Sequence, residues 1–123
     1  MLKHLLTAAL AFAAGQAHAA PPSPLIGVWI EVNGPGMARI GPCARGADAL
    51  CATGLARRSQ GAPAETGIVL SDVRPAPGDR WRGLYHQGKQ RLPATLRLTD
   101  PDRVEMKVCL LLFCQSATYA RAR

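Results

Sequence analysis

From Leu25 onward, apolar side chains recur mostly at every second position, and Gly or Pro clusters interrupt them at short intervals. That spacing is the period of a half-buried strand. No stretch beyond the N-terminal leader keeps a helical period, so the pattern predicts an all-β meander. Strands are expected near Ile26 to Val32, Met37 to Pro42, Leu50 to Ala56, Ile68 to Val73, Arg80 to His86, Arg91 to Thr99, Arg103 to Leu110 and Phe113 to Arg121. Arg57 to Thr66 and Arg74 to Gly78 read as loops, and Gly34-Pro35-Gly36 reads as a turn.

The most constrained piece is the hairpin around Asp100-Pro101-Asp102. With those three residues as the loop, Leu98 faces Val104, Leu96 faces Met106, Ala94 faces Val108 and Leu92 faces Leu110. One face is then wholly apolar, while the other sets Arg97 against Glu105. A one-residue slip would oppose apolar and charged side chains, so the pattern selects this register. Pro93 falls on the polar face without a ladder donor, which places its strand at an edge or a bulge.

The first residues change what the chain is expected to be. Lys3 and His4 precede an uncharged run from Leu5 to Ala14, and Ala17-His18-Ala19 offers small residues before a cut at Ala20. That layout is a secretory signal peptide over 1–19, followed by one domain over 20–123. The run is shorter than the ~20 residues of a bilayer-spanning helix, and no later segment is long and apolar enough to form one. A periplasmic or secreted protein is therefore expected, with no transmembrane segment once the leader is gone. Cys43, Cys51, Cys109 and Cys114 all survive cleavage, and an even count in a short exported chain favours disulfides over thiols. Their spacing is poor for structural zinc and neither pair is Cys-x-x-Cys, so no metal, cofactor or thioredoxin-like role is expected. Of the three connectivities, the local pairs Cys43 with Cys51 and Cys109 with Cys114 are favoured. Leu110-Leu111-Leu112-Phe113 contains no turn residue. An extended chain there would hold the last two Cα atoms roughly 16 Å apart, so either it folds back or the pairs cross.

Several short motifs, in order, carry a resemblance. These are Gly27-Val28-Trp29, Ala38-Arg39-Ile40-Gly41-Pro42-Cys43, Leu50-Cys51, Trp81-Arg82-Gly83-Leu84-Tyr85, Lys107-Val108-Cys109-Leu110, and the run Cys114 to Arg121. Together they resemble the DUF2147 family of small exported bacterial proteins. The resemblance implies a small antiparallel up-and-down, lipocalin-like β-barrel of about eight strands, with no settled biochemical role. Gly27-x-Trp29 on the first strand and Arg121 near the end of the last also resemble the closure signature of lipocalin-type barrels, which implies Arg121 lying over the Trp29 ring. The alternative is an ordinary core Trp29 and an Arg121 that belongs to a solvated basic tail with Arg123.

The chemistry left to such a barrel is limited. After cleavage His86 is the only histidine and the carboxylates are scattered, so an enzyme is not expected. Loss of Lys3 takes the formal charge from +7 to +6, with 14 basic residues against 8 acidic ones. Most of the basic residues are Arg, whose fork suits phosphate and carboxylate. An anionic envelope component is thus an expected partner, whereas export and few aromatic residues disfavour nucleic acid. Trp81, Tyr85, Leu96, Leu98, Val104, Met106 and Val108 are the candidates to line an interior pocket, with Gly83 leaving room beside Trp81 and Tyr85. The same residues would serve as plain core. The leading expectation is a binding module for a small apolar or amphipathic molecule. The alternative is an envelope interaction protein whose basic surface binds anionic glycan, lipid or a protein partner. A cavity of roughly 300 Å3 or more favours the first, and a filled barrel with Arg57, Arg58, Arg80, Arg82 and Arg91 on one side favours the second.

Overall fold

A computed structural model describes residues 22–56 and 67–123, so the leader and the Arg57 to Thr66 loop lie outside the described residues. Eight strands follow one another: β1 (Gly27–Glu31), β2 (Met37–Pro42), β3 (Leu50–Gly54), β4 (Gly67–Ala76), β5 (Arg80–Gln87), β6 (Gln90–Asp100), β7 (Arg103–Leu110) and β8 (Phe113–Arg121). Each is antiparallel to its predecessor and β8 pairs with β1, which closes an all-β barrel. Closure pairs every strand with a neighbour on both sides over at least part of its length. The β2–β3, β4–β5 and β6–β7 connections share one end, called lower here; the other connections share the upper end.

The selected hairpin register is present at Ala94–Val108, Leu96–Met106, Arg97–Glu105 and Leu98–Val104. Two details differ. Below Leu98 the register shifts so that Asp100 pairs with Arg103, and the turn tightens to Pro101 and Asp102, whose N–H donates to Asp100 Oδ1 at 2.8 Å. Above Ala94 the β6–β7 ladder stops, so Leu92 does not face Leu110. Pro93 sits just past that stop and pairs only with Leu84 of β5, so its missing donor leaves no gap in the ladder.

The loop expected from Arg74 is instead the second half of β4. Asp72 has a positive φ of 51° within a register shift that lies between Ser71 and Arg74. This bulge resets the alternation and turns Val73 inward, where it is 2% exposed. Beyond Val73 the strand has no recorded partner on β3, so Pro75 withholds no ladder bond on that side. The bulge also uses Gly83. A Cβ at Gly83 would lie 2.7 Å from Val73 Cγ2 and 2.9 Å from the Ser71 carbonyl oxygen. The space expected to admit a guest is filled by the neighbouring strand. Gly83→Ala should cost about 1–3 kcal/mol, because backbone must move to admit the methyl group. Thermal unfolding checks this, and an unchanged midpoint would contradict the close approach.

Inward side chains from all eight strands fill the middle of the barrel. Trp29, Ile40, Leu50, Ala52, Leu70, Val73, Ala94, Leu96, Val104 and Met106 form one buried cluster, Trp81 and Tyr85 of β5 and Tyr119 of β8 pack against it, and Leu25 joins it from the segment ahead of β1. Leu25 is fully buried, and its carbonyl accepts the Trp29 indole N–H at 2.8 Å.

Both favoured disulfides are present, and no described cysteine is free. Cys109 and Cys114 are register partners with Cα atoms 4.0 Å apart. The chain folds back because Leu111 adopts φ +54°, giving a two-residue turn from residues that do not favour one.

Candidate functional site

The upper end of the barrel is hollow. Because β6 and β7 stop pairing at Ala94 and Val108, the strands part above that level. A cavity of about 460 Å3 lies there. Leu92, Met106, Val108, Leu110, Phe113 and Ala117 supply its apolar wall, and Glu31, Tyr85, Gln87, Gln115, Ser116 and Tyr119 supply its polar groups.

Those polar groups are held in place. Glu31 and Tyr119 are register partners on β1 and β8. The Glu31 carboxylate also accepts the Gly36 N–H at 3.0 Å, reaching back into its own β1–β2 turn. The carboxylate occupies space those glycines leave open: a Cβ at Gly34 would lie 2.5 Å from the carboxyl carbon, and one at Gly36 would lie 2.6 Å from Oε2, so a larger residue at either position would displace the acid. The turn read from Gly34-Pro35-Gly36 therefore fixes the orientation of an acid. Burial, then the charge of Glu31 and then Tyr85, push the Tyr119 phenol up to about 12. At neutral pH it remains a hydrogen-bond donor. The chamber thus offers an anchored carboxylate and a protonated phenol beneath an apolar rim.

Two further spaces matter for comparison. A gap of about 40 Å3 lies in the core among Trp29, Ile40, Leu96, Val104 and other mostly apolar groups, room for little more than a water. Met106 and Tyr119 border both this gap and the mouth, forming the partition between them. At the lower end an open groove of about 660 Å3 runs past Pro24, Leu50, Pro75, Asp79 and Trp81.

The expected pocket residues therefore divide. Tyr85, Met106 and Val108 line the mouth, and Leu96 and Val104 line the core gap with Met106. Trp81 lies in the lower groove, and Leu98 packs against the core without lining any of these three spaces. Four residues of strand separate Trp81 from Tyr85, a distance of roughly 13 Å, so one small chamber cannot take both. Sequence reasoning missed Glu31 and Tyr119. The available signal was the acid just ahead of two glycines, and a tyrosine at inward parity opposite it.

At the lower end Gly27, Trp29 and Arg121 act together. The Arg121 guanidinium lies 4.4 Å from the Trp29 ring centroid. It also donates to the carbonyls of Ile26 at 2.9 Å, Pro24 at 2.7 Å and Pro101 at 3.1 Å. A Cβ at Gly27 would come within 2.7 Å of it. One guanidinium thereby ties the N-terminal segment and the β6–β7 turn across the bottom of the barrel. This is architecture: Arg121 spends its donors on backbone carbonyls, lies over the Trp29 ring and faces the Asp102 carboxylate at 3.5 Å.

The outer surface carries the remaining polar chemistry. Arg74 faces Arg82 and Arg80 faces Arg97 across adjacent strands, and Lys107 follows beyond Thr95. Arg91 is higher on the same side, while Arg57 and Arg58 lie outside the described residues. Ser71 Oγ and His86 Nε2 are hydrogen-bonded at 2.6 Å, a pairing that linear spacing did not disclose. Partial burial and the charge of Arg91 lower the pKa of His86. Among the described residues no carboxylate bonds its other ring nitrogen, so the pair lacks the orienting third member of a nucleophilic triad. Nor do the described residues group three or more metal-ligating side chains, and none of their helices is long and apolar enough to cross a membrane. Comparison with known proteins finds no match among family models, curated proteins or solved structures.

Proposed function

We propose that this chain is an exported barrel of the DUF2147 kind that binds a small amphipathic molecule in its upper mouth. The observation that carries this reading is the cavity of about 460 Å3 with the Glu31–Tyr119 pair deep in it and Leu110 and Phe113 at its upper edge. That volume falls within the range of roughly 300–1,000 Å3 typical of small-molecule sites. Glu31 and the protonated Tyr119 call for a guest with a donor or cationic head, and Leu92, Leu110 and Phe113 call for an alkyl or aryl body. Two disulfides support an oxidising compartment such as the periplasm or the exterior.

Octylamine, octanol and octanoate test the polarity of the site with one tail length. Octylamine should bind most tightly and octanoate least, read as chemical-shift changes at Glu31 and Tyr119. Glu31→Gln keeps an acceptor for Gly36 but removes the charge. It should weaken octylamine by about 10-fold or more, the worth of a charge-assisted hydrogen bond, and leave octanol nearly unchanged. If none of the three perturbs those residues, or if Glu31→Gln affects all alike, the reading fails.

The outward arginines Arg74, Arg80, Arg82 and Arg97 on adjacent strands support a second reading, an anionic envelope partner held by charge, even with Asp72 paired to Arg74 at 2.7 Å and Glu105 opposite Arg97. Such binding would weaken steeply with salt, whereas octanol binding would not.

A further inference from the structure

The hairpin that joins β7 to β8 ends in Leu110-Leu111-Leu112-Phe113, and these side chains face water. Leu111 is 92% exposed, Leu112 95% and Phe113 81%. An exposed two-residue turn normally carries Asn, Asp or Gly. Here Leu111 occupies a left-handed conformation, φ +54°, that favours glycine. The Cys109–Cys114 bridge lies immediately behind the turn and keeps the strands paired up to Leu110–Phe113, so the tip is held away from the barrel. A hydrophobic projection that is braced in this way needs an apolar environment outside the molecule.

Charge around the tip indicates what that environment is. Lys89 and Arg91 sit in and beside the neighbouring β5–β6 turn, where Arg91 bonds the carbonyls of Gly88 and Gln90. Lys107 lies two residues below Cys109, on the outer side of β7. Asp48, Asp79, Asp100 and Asp102 lie at the opposite end, and the Glu31 carboxylate lies inside the mouth, bonded to its own turn rather than beside the tip. Among the described residues the upper end therefore combines an apolar point with cations, the pairing that suits an anionic bilayer surface. The barrel wall itself carries Arg74, Arg82, Arg97 and Lys107 across its middle, which is incompatible with a lipid-facing band. Among the described residues the largest continuous exposed apolar run is this tip, and it is the part suited to enter lipid.

We propose that the disulfide-braced Leu110–Phe113 tip is a membrane-docking element that inserts into the surface of an anionic bilayer. It stands independently of the cavity reading, although Leu110 and Phe113 also border the mouth, so a docked barrel would open toward the lipid.

Sedimentation with vesicles of equal parts phosphatidylglycerol and phosphatidylcholine, compared with phosphatidylcholine alone, tests this on the oxidised full chain. The protein should partition to the anionic vesicles and much less to the neutral ones. Leu111→Asp with Leu112→Asp in the same chain should reduce partitioning by about 30-fold or more. Both positions are solvent-facing, so the melting midpoint should stay the same. Lys89→Glu with Arg91→Glu should weaken binding to the anionic vesicles and leave the weaker neutral binding unchanged. As a second measurement, Leu112→Trp should show a blue-shifted emission on vesicle addition that the parent lacks. Three outcomes overturn the proposal: no partitioning by the parent chain, equal partitioning by the double Asp variant, or a concentration-dependent dimer that this variant abolishes without any lipid binding.

Discussion

Trp29→Ala lowers the unfolding free energy by about 3–5 kcal/mol. The indole is 1% exposed at the centre of the buried cluster, so its removal leaves a cavity that eight paired strands cannot collapse to fill. Packing is only part of the loss. The indole N–H holds the Leu25 carbonyl, and the ring face receives Arg121. Without the ring, the segment that plugs the lower end loses one of its anchors and the guanidinium loses its platform. For a domain near 100 residues each kcal/mol is worth roughly 4–8 °C, so the melting midpoint should fall by more than ~12 °C. Trp81→Ala offers the contrast. Trp81 is half-buried at the lower groove and should cost markedly less. Equal losses at the two positions, or an unchanged midpoint for Trp29→Ala, would contradict the placement of Trp29 as the keystone of closure.

The β-meander was legible because the barrel is built from neighbouring hairpins, so period-2 alternation and the turn residues between strands specify most of it locally. Leu96 and Met106, or Arg97 and Glu105, announce their pairing because only one register puts like with like. What escaped was set by contacts distant in sequence. Arg74 and Pro75 look like a loop until β5 supplies Gly83, into whose empty space Val73 can press. Leu111 is an unlikely turn residue until a bridge two residues away on each side closes the hairpin. The candidate site was harder still. Met106 and Val104 are two residues apart on one inward face, yet Met106 borders the open mouth while Val104 lies only against the core gap. That difference depends on where the β6–β7 ladder stops, which alternation does not encode. Glu31 and Tyr119 meet only because the first and last strands are neighbours, so their pairing is a product of closure.

Reduction of both disulfides should destabilise the barrel by about 4–5 kcal/mol, since closing loops this short is worth roughly 2–3 kcal/mol each in the chain-entropy account. Against a typical total of about 5–15 kcal/mol that is a large share, and the thermal midpoint in a thiol-free reductant should drop accordingly. The two bridges should differ in where their loss is felt. Cys43–Cys51 closes a connection that has its own bonds, Cys43 N–H to the Ala49 carbonyl at 3.0 Å and Ala47 N–H to the Ala44 carbonyl at 2.9 Å. With both cysteines changed to Ala that connection should keep its amide protection while global stability falls. Cys109–Cys114 braces a turn whose residues do not favour turning, so the same change there should also speed amide exchange from Leu110 to Phe113 locally. Unchanged exchange from Leu110 to Phe113, or a reduced protein that melts within a few degrees of the oxidised one, would mean that the strands alone hold the tip upright. The bridges would then be accessories to a barrel already closed by Trp29 and Arg121.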